Sequence, residues 1–456
     1  MLSMFRYFFG PVLLMLGIAL GPGPAYAKTL NLSPAEMRLS AIKSMRVGRS
    51  DIALKIANAL LLRSPSDLTA LIIKSQAARN LGQFKIAIQA GKKGWEHSKT
   101  DLGHYSSALV TAQALASSGA RTRAQFWLRR AAHSAPTEQD RKRAVQDFRY
   151  VKSRNPFSTS LRFSVQPSSN INNGSKSDTL IVAGLPFELS GDARALSGLE
   201  FSYGFSTTYK KQITPDRLIR FGFSADARNY VLSEKSKEQA PDQDASDYAF
   251  ATAQLSFGTT KSMGQGRGDF LLDFHLGRSW YGGKSLNNFA RITAARTFQK
   301  TRTSHSRYLI SATRQWRLDA SQYSSTQVEI TGYWAKALQN GSLLRWNFGV
   351  KNTSSDSATI AQSSVHMGAS LTPAKDILGA RMTMSFGLEA NRFKQPYFGI
   401  LREDEKATLG VSLFFHQIDY YGFAPTLSIS ASRQRSNISL FDTTRFGISA
   451  GFRSTF

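Results

Sequence analysis

Residues 445–456 read RFGISAGFRSTF. In an extended chain Phe446, Ile448, Ala450, Phe452 and Phe456 share one side, while Arg445, Gly447, Ser449, Gly451 and Arg453 share the other. The stretch predicts a strand with one apolar face, ending on an aromatic that must be tied down, since free ends fray. Working back along the chain, the same alternation recurs. Leu199, Phe201, Tyr203 and Phe205 alternate with Glu200, Ser202, Gly204 and Ser206, and Ile219, Phe221, Phe223 and Ala225 with Arg220, Gly222, Ser224 and Asp226. Further runs follow at Phe270–Leu276, Leu344–Val350, Met382–Leu388 and Leu409–Phe415. Each spans about ten residues between turn-rich segments, the signature of a transmembrane barrel with lipid-facing and lumen-facing sides; a large soluble sandwich is the alternative.

Fourteen strands are expected, beginning near Phe157, Ala195, Arg217, Asp247, Arg267, Leu286, Ser304, Gln322, Asn340, Ala361, Gly379, Lys406, Tyr421 and Thr443. An even number returns both barrel ends to the same side. The long polar connections Pro167–Arg194, Ser233–Ser246 and Lys394–Glu405 then share the opposite, outer side. Phe456 is expected to close the last strand in the lipid interface, as the terminal aromatic that bacterial barrel assembly machinery reads.

At the other end, MLSMFRYFF places Arg6 before an apolar run from Phe8 to Leu20, and Ala25-Tyr26-Ala27 offers a cleavage site. Residues 1–27 are expected to be a secretory signal peptide; the run is too short for a membrane anchor, and no later stretch approaches the ~20 apolar residues of a spanning helix. The chain has no cysteine, which excludes disulfides, thiol catalysis, cysteine metal sites and N-terminal lipidation of the protein itself.

Composition changes at Asn155-Pro156, from Ala, Leu, Lys and Arg before it to Ser, Thr, Gly and aromatics after it. The expected division is a signal peptide at 1–27, helical repeats at 28–154 and a barrel at 155–456. Gly48, Ala53, Ala57 and Pro65 lie at offsets 0, 5, 9 and 17, and Gly119, Ala124, Leu128 and Pro136 repeat those offsets. Gly82, with Ala87 and Gly91, falls 34 residues after Gly48. These spacings resemble the tetratricopeptide repeat, in which glycine turns one helix into the next, small residues allow close packing and proline ends the pair. Three repeats are expected; a generic helical bundle is the alternative. In the middle repeat Gly94 and Lys99 stand where alanine and proline are usual, predicting a short or bent second helix. Ser33-Pro34-Ala35-Glu36 fits a capping box at the start. The region carries 23 Lys/Arg against 8 Asp/Glu, a net of +15. With a signal peptide and no nucleic-acid motif, acidic client segments or lipid are the partners to expect, beside an ordinary solvated surface, and nucleic acid is not.

Enzymatic readings find little support, and no cofactor or metal is expected. Gly447-Ile448-Ser449-Ala450-Gly451 spells G-x-S-x-G, but inside a continuous strand rather than a strand-to-helix turn. The histidines are scattered; His275 beside Asp273 on one lumen face is a candidate dyad, with a plain hydrogen-bonded pair as the stronger reading. Gly264, Gly266 and Gly268 lack the helix a phosphate loop needs. The expected lumen carries Lys210, Arg220, Arg228, Arg345, Lys351, Arg381, Arg445 and Arg453 against Glu200, Asp226, Asp273 and Glu389.

Two stretches carry a family resemblance. RNPFSTSLRFSVQPSSNINNG (154–174), with LPFELSGDAR (185–194), resembles the first strand and outer loop of the surface lipoprotein assembly modifiers. The segment Arg402-Glu403-Asp404, then Gly422-Phe423-Ala424-Pro425, Ser436-Asn437-Ile438 and Phe456, is similar to that family's last strands. Within the first stretch, Asn170, Ile171, Asn172 and Asn173 match the family motif, although asparagines in loops also satisfy their own turns. The resemblance implies a monomeric outer-membrane translocation and assembly factor: periplasmic repeats that receive a client surface lipoprotein or secreted protein, and a fourteen-stranded barrel that provides or templates its exit. The rival is a polysaccharide-export porin, which a basic lumen would suit; a plain porin needs no helical domain.

Overall fold

The computed structural model describes residues 31–182, 185–264, 266–418 and 420–454. Residues 1–27, expected to be a signal peptide, and Phe456 lie outside them. The helical region contains α1 (Pro34–Arg46), α2 (Ser50–Arg63), α3 (Leu68–Asn80), α4 (Phe84–His97), α5 (Asp101–Ser117), α6 (Arg121–His133) and α7 (Glu138–Arg154). They form three antiparallel pairs of tetratricopeptide type, α1–α2, α3–α4 and α5–α6, with α7 packed on the last. Ser33 and Glu36 exchange the two bonds of a capping box at the start of α1. Each pair turns on a glycine in the left-handed region: Gly48 at φ 79°, Gly82 at 75° and Gly119 at 84°. The residue after each glycine donates its N–H five residues back, closing the first helix. Ala53, Ala87 and Ala124 are fully buried where helices meet, and Pro65 and Pro136 sit in the turns after α2 and α6.

The middle repeat corrects the expectation of a short second helix. Helix α4 runs 14 residues, the same as α2. Gly91 and Gly94 do not shorten it; they let α5 come close, because a Cβ on Gly94 would stand 2.8 Å from Ser107 Oγ.

Asp67 ties the first repeat to the second. It caps α3 by accepting from Ala70 N–H at 3.1 Å and receives Arg38 of α1 at 2.7 Å. Burial pushes its carboxyl up, but Arg38 and the capping amides outweigh burial and hold it below the usual range. A carboxylate depressed on folding stabilises above its unfolded pKa, and that contribution is lost as pH falls through the folded value. Asp67→Ala should therefore cost about 1–2 kcal/mol and speed amide exchange along α3 in the full-length protein. Asp67→Asn should keep the cap but lose the acid sensitivity.

Helix α7 ends at Arg154 and β1 begins two residues beyond Asn155. The barrel strands are β1 (Phe157–Ser168), β4 (Gly198–Thr214), β5 (Arg217–Leu232), β6 (Phe250–Ser262), β7 (Asp269–Tyr281), β8 (Lys284–Thr301), β9 (Ser304–Arg317), β10 (Ser325–Ala337), β11 (Leu343–Ser355), β12 (Gln362–Thr372), β13 (Arg381–Tyr397), β14 (Ile400–Phe414), β15 (Phe423–Ser436) and β16 (Thr443–Ser454). A small hairpin, β2 (Thr179–Val182) with β3 (Leu185–Glu188), and the short helix α8 (Glu234–Gln239) lie in connections. The fourteen strands close on themselves, all antiparallel, with β1 meeting β16. Closure is what a sheet in lipid requires, since no backbone group may be left at an edge. None of the described helices is long and apolar enough to cross a membrane. The outward face is apolar: Leu255, Leu276 and Leu409 are each 60–64% exposed, and ring pairs such as Phe221–Phe257 and Trp334–Trp346 line the wall.

Two ends follow from the topology. The loop end carries residues 169–197 and 233–249; the helix end carries α1–α7 and both strand termini of the β1–β16 seam. The expected polar connection Lys394–Glu405 is not a loop. It folds as a hairpin on Phe398 (φ 49°) and Gly399 (φ 78°), the two positive angles of a tight two-residue turn. Pro396 is accommodated by a register shift, so β14 starts six residues earlier than Lys406.

Candidate functional site

The site is the seam where β1 meets β16. With β4, β1 pairs along its whole length, from Phe157↔Tyr209 to Ser168↔Gly198. With β16 it makes three register pairs, Ser164↔Gly451, Val165↔Ala450 and Ser168↔Gly447, interrupted at Pro167, which has no N–H to give. Continuing that register toward the helix end would set Phe163 opposite Phe452, Arg162 opposite Arg453 and Leu161 opposite Ser454, and none of these pairs forms. A physical reason is present in the sequence: two arginines would stand directly across the ladder on the lumen side, where like charges destabilise pairing.

The loop end of the seam is clipped shut. Ser169 N–H donates to Phe446 O at 3.2 Å, and Lys176 N–H to Asp442 O at 2.7 Å. Arg445 of β16 donates to Asn170 O at 3.0 Å and to Asn173 Oδ1 at 2.6 Å. The asparagine cluster makes this clip rigid. Asn170, 1% exposed, exchanges two hydrogen bonds with Gly174. Asn172 donates to Asp192 O and Arg194 O and accepts from Leu196 N–H. Asn173 takes a left-handed φ of 54°, which asparagine tolerates. Ile171 is buried against Leu196, Leu232 and Ala240, with Tyr230 beside them. Tyr230 and Leu232 face the lumen from β5, so this loop folds inward over the mouth.

A second clamp closes the loop end nearby. Arg402 and Asp404 of β14, both buried, form a two-pronged ion pair at 2.9 and 2.6 Å. The guanidinium lies 4.2 Å from the Phe393 ring centre and 3.3 Å from that of Phe441. Asn437 stitches the β15–β16 connection to β14 by accepting from Glu403 N–H and donating to Leu401 O.

At the helix end the other motif residues hold the repeats. Arg129 of α6 donates to Tyr421 O at 3.1 Å and Gly422 O at 2.6 Å, and its guanidinium sits 4.6 Å from the Phe423 ring centre. His133 stacks on Tyr421 at 4.0 Å. Pro425 is in β15, opposite Phe452. Between this latch and the unpaired part of the seam lies a cavity of about 1230 Å³, walled by α6, α7, β1 and β16. Its lining includes Ser160, Leu161, Arg162 and Phe163 of β1, so it borders the unpaired part of the seam.

The lumen candidates are brought together differently from the expectation. Asp273 is taken by Arg220 at 2.7 Å, and His275 Nδ1 has no hydrogen-bond partner; neither a dyad nor a hydrogen-bonded pair forms. Asp226 holds Arg162 at 2.6 Å and Glu389 holds Lys351 at 3.3 Å, while Glu200 is 4.0 Å from Arg228. The first of these reaches across an intervening strand over Gly204, where a Cβ would stand 2.7 Å from Asp226 Oδ1. Ser449 lies mid-strand opposite Ser428. No group of acidic and histidine side chains with metal-ligand geometry occurs among the described residues. The clip by Arg445 and the latch by Arg129 were not read from the sequence; each joins residues more than 270 positions apart, and no local pattern marks them.

A family model described as surface lipoprotein assembly modifier matches residues 157–456, the entire barrel. No curated protein matches the chain. Among solved structures, the type III secretion translocator chaperone SycD of Yersinia enterocolitica is 17% identical, with 27% of this chain and 88% of that one covered at a TM-score of 0.25. The TPR2B domain of yeast Sti1 is 17% identical over 26% of this chain and 97% of its own, also at 0.25. OprB of Pseudomonas putida is 8% identical over 68% and 96%, at 0.38. These scores are low; strand register and the apolar outer face establish an outer-membrane barrel.

Proposed function

The chain belongs to the surface lipoprotein assembly modifier family, and from that premise we propose that it delivers client surface lipoproteins or secreted proteins across the outer membrane. The observation that carries this reading is the family match along all of the barrel, from Phe157 onward. The helical repeats would sit in the periplasm, receive the client and hold it beside the seam, with the loop end facing outward. The protein acts as a monomer and not as an enzyme. With no nucleotide motif, export is driven by client folding or by partner proteins, and the barrel assembly machinery inserts the protein itself. ATP hydrolysis by the pure protein would contradict the energy assignment.

The test is protease shaving of intact cells, with and without this gene, probing a lipoprotein encoded beside it. The client should stay shielded from protease in the deletion strain and become accessible again when the full-length protein is restored. Unchanged client exposure together with loss of a capsule or other polymer would instead support polysaccharide export through the basic lumen.

A further inference from the structure

We propose that the helix-end half of the β1–β16 seam is the docking port for the client, which pairs an amphipathic β-strand onto the free edge of β1. The proposal rests on the translocation reading above and names where the client engages. Leu161 and Phe163 turn backbone groups toward the seam and form no register pair with β16, while Arg162 turns its own to Gly204 of β4. In a lipid-facing wall such groups need a partner, and the occupant that satisfies a row of them is another strand. The edge also specifies its composition. Leu161 and Phe163 point to lipid, 68% and 45% exposed, so alternate client residues there are apolar. The other side faces a cavity lined by Arg129, Lys152, Arg162, Arg228 and Arg453 against Asp226, so the intervening client residues are acidic or neutral polar.

Position agrees with chemistry. The port opens next to α6 and α7, which wall the same cavity, so a client held by the repeats reaches the edge without crossing the lumen. The direct axial route is obstructed at the loop end, because the Asn170–Gly174 loop folds over the mouth and Arg445 fastens it to β16. The clip also keeps the first and last strands together while the other half of the seam is open. Arg453 keeps that half from closing on an empty barrel, since closure would set it against Arg162.

The chain has no cysteine, so an introduced pair is the sole thiol pair. In cells carrying Phe163→Cys/Phe452→Cys, oxidation should lock the port and cut surface exposure of the adjacent-gene lipoprotein at least tenfold. Reductant should restore it, and the reduced protein should keep the folded, heat-modifiable gel band. Arg453→Glu, which removes the like charge facing Arg162 and so lets the edge close, should lower exposure several-fold, while Arg453→Lys should not. A photo-crosslinking residue in place of Leu161 should capture the lipoprotein, and one in place of Leu409, on the lipid face of β14, should not. Normal client exposure with the disulfide formed, in cells where gene deletion abolishes exposure, overturns the port while leaving translocation intact. Normal exposure in the deletion strain overturns both.

Discussion

Asp404→Ala should lower the temperature at which the folded barrel converts to its unfolded form on a denaturing gel, by more than any other single change at the loop end. The substitution leaves Arg402 with a charge and no counter-ion. The Arg402 and Asp404 side chains are 10% and 2% exposed, and Gln434 Nε2 donates to the same carboxylate at 3.1 Å. Removing one partner of a buried pair typically costs ~3–5 kcal/mol because the remaining charge is uncompensated. Two further variants isolate the cause. Arg402→Leu/Asp404→Leu removes both charges and should recover much of the loss, since apolar replacement of such a pair is often neutral. Glu403→Ala breaks the neighbouring Arg392 contact, 3.5 Å long between side chains 82% and 61% exposed, and should change almost nothing, as exposed pairs contribute little. A double variant as unstable as Asp404→Ala would show that the packing between Phe393 and Phe441, not the charge, holds the clamp.

What the sequence disclosed and what it concealed separate along physical lines. Strand identity follows from a period of two, which is local, and the fourteen expected strands are the fourteen of the barrel. The error at β14 has a local origin as well. Pro396, Gly399 and the charged run Arg402–Lys406 look like a loop, but the bulge absorbs the proline, the glycine makes the turn, and Arg402 and Asp404 turn inward under Phe441. Capping and turn chemistry in the repeats is equally local, hence legible at Ser33, Gly48, Gly82 and Gly119.

The site is another matter. The asparagine motif and the Arg402, Gly422 and Asn437 positions drew attention only through family resemblance, and their jobs are set by partners far away in the chain. Asn170 and Asn173 matter because Arg445 reaches them; Gly422 offers its carbonyl to Arg129. The incomplete seam is a property of register between the first strand and the last. Arg453 is legible as a lumen cation and Arg162 is not, and only the register Ser164↔Gly451 places them opposite one another.

Gly91→Leu should unfold the helical repeats while leaving the barrel in place, which makes it the sharpest way to separate the two halves of the protein. On Gly91 even a Cβ would clash outright with Thr111 Oγ1 and lie 3.2 Å from Thr111 Cα, so the obstacle is backbone as well as side chain. Thr111 cannot retreat easily: it is fully buried and its hydroxyl donates to Ser107 O at 2.7 Å. Leucine improves helix propensity over glycine by roughly 0.5–1 kcal/mol, yet forcing a side chain into a packed contact costs typically 1–3 kcal/mol and sometimes more. Here the whole isobutyl group must fit between α4 and α5, so the cost should exceed the gain by several-fold. The trypsin sites of this lysine- and arginine-rich region report the result directly: the repeats of Gly91→Leu should be cleaved under conditions where the wild type resists, with the heat-modifiable barrel band unchanged. Gly91→Ala/Thr111→Ala, which removes the clashing hydroxyl, should restore resistance. Because Arg129 and His133 latch the repeats to Tyr421 and Gly422 only when α6 is folded, Gly91→Leu should also lower client exposure without touching the seam. If the repeats of Gly91→Leu resist trypsin as the wild type does, α4 and α5 are not held at this close contact.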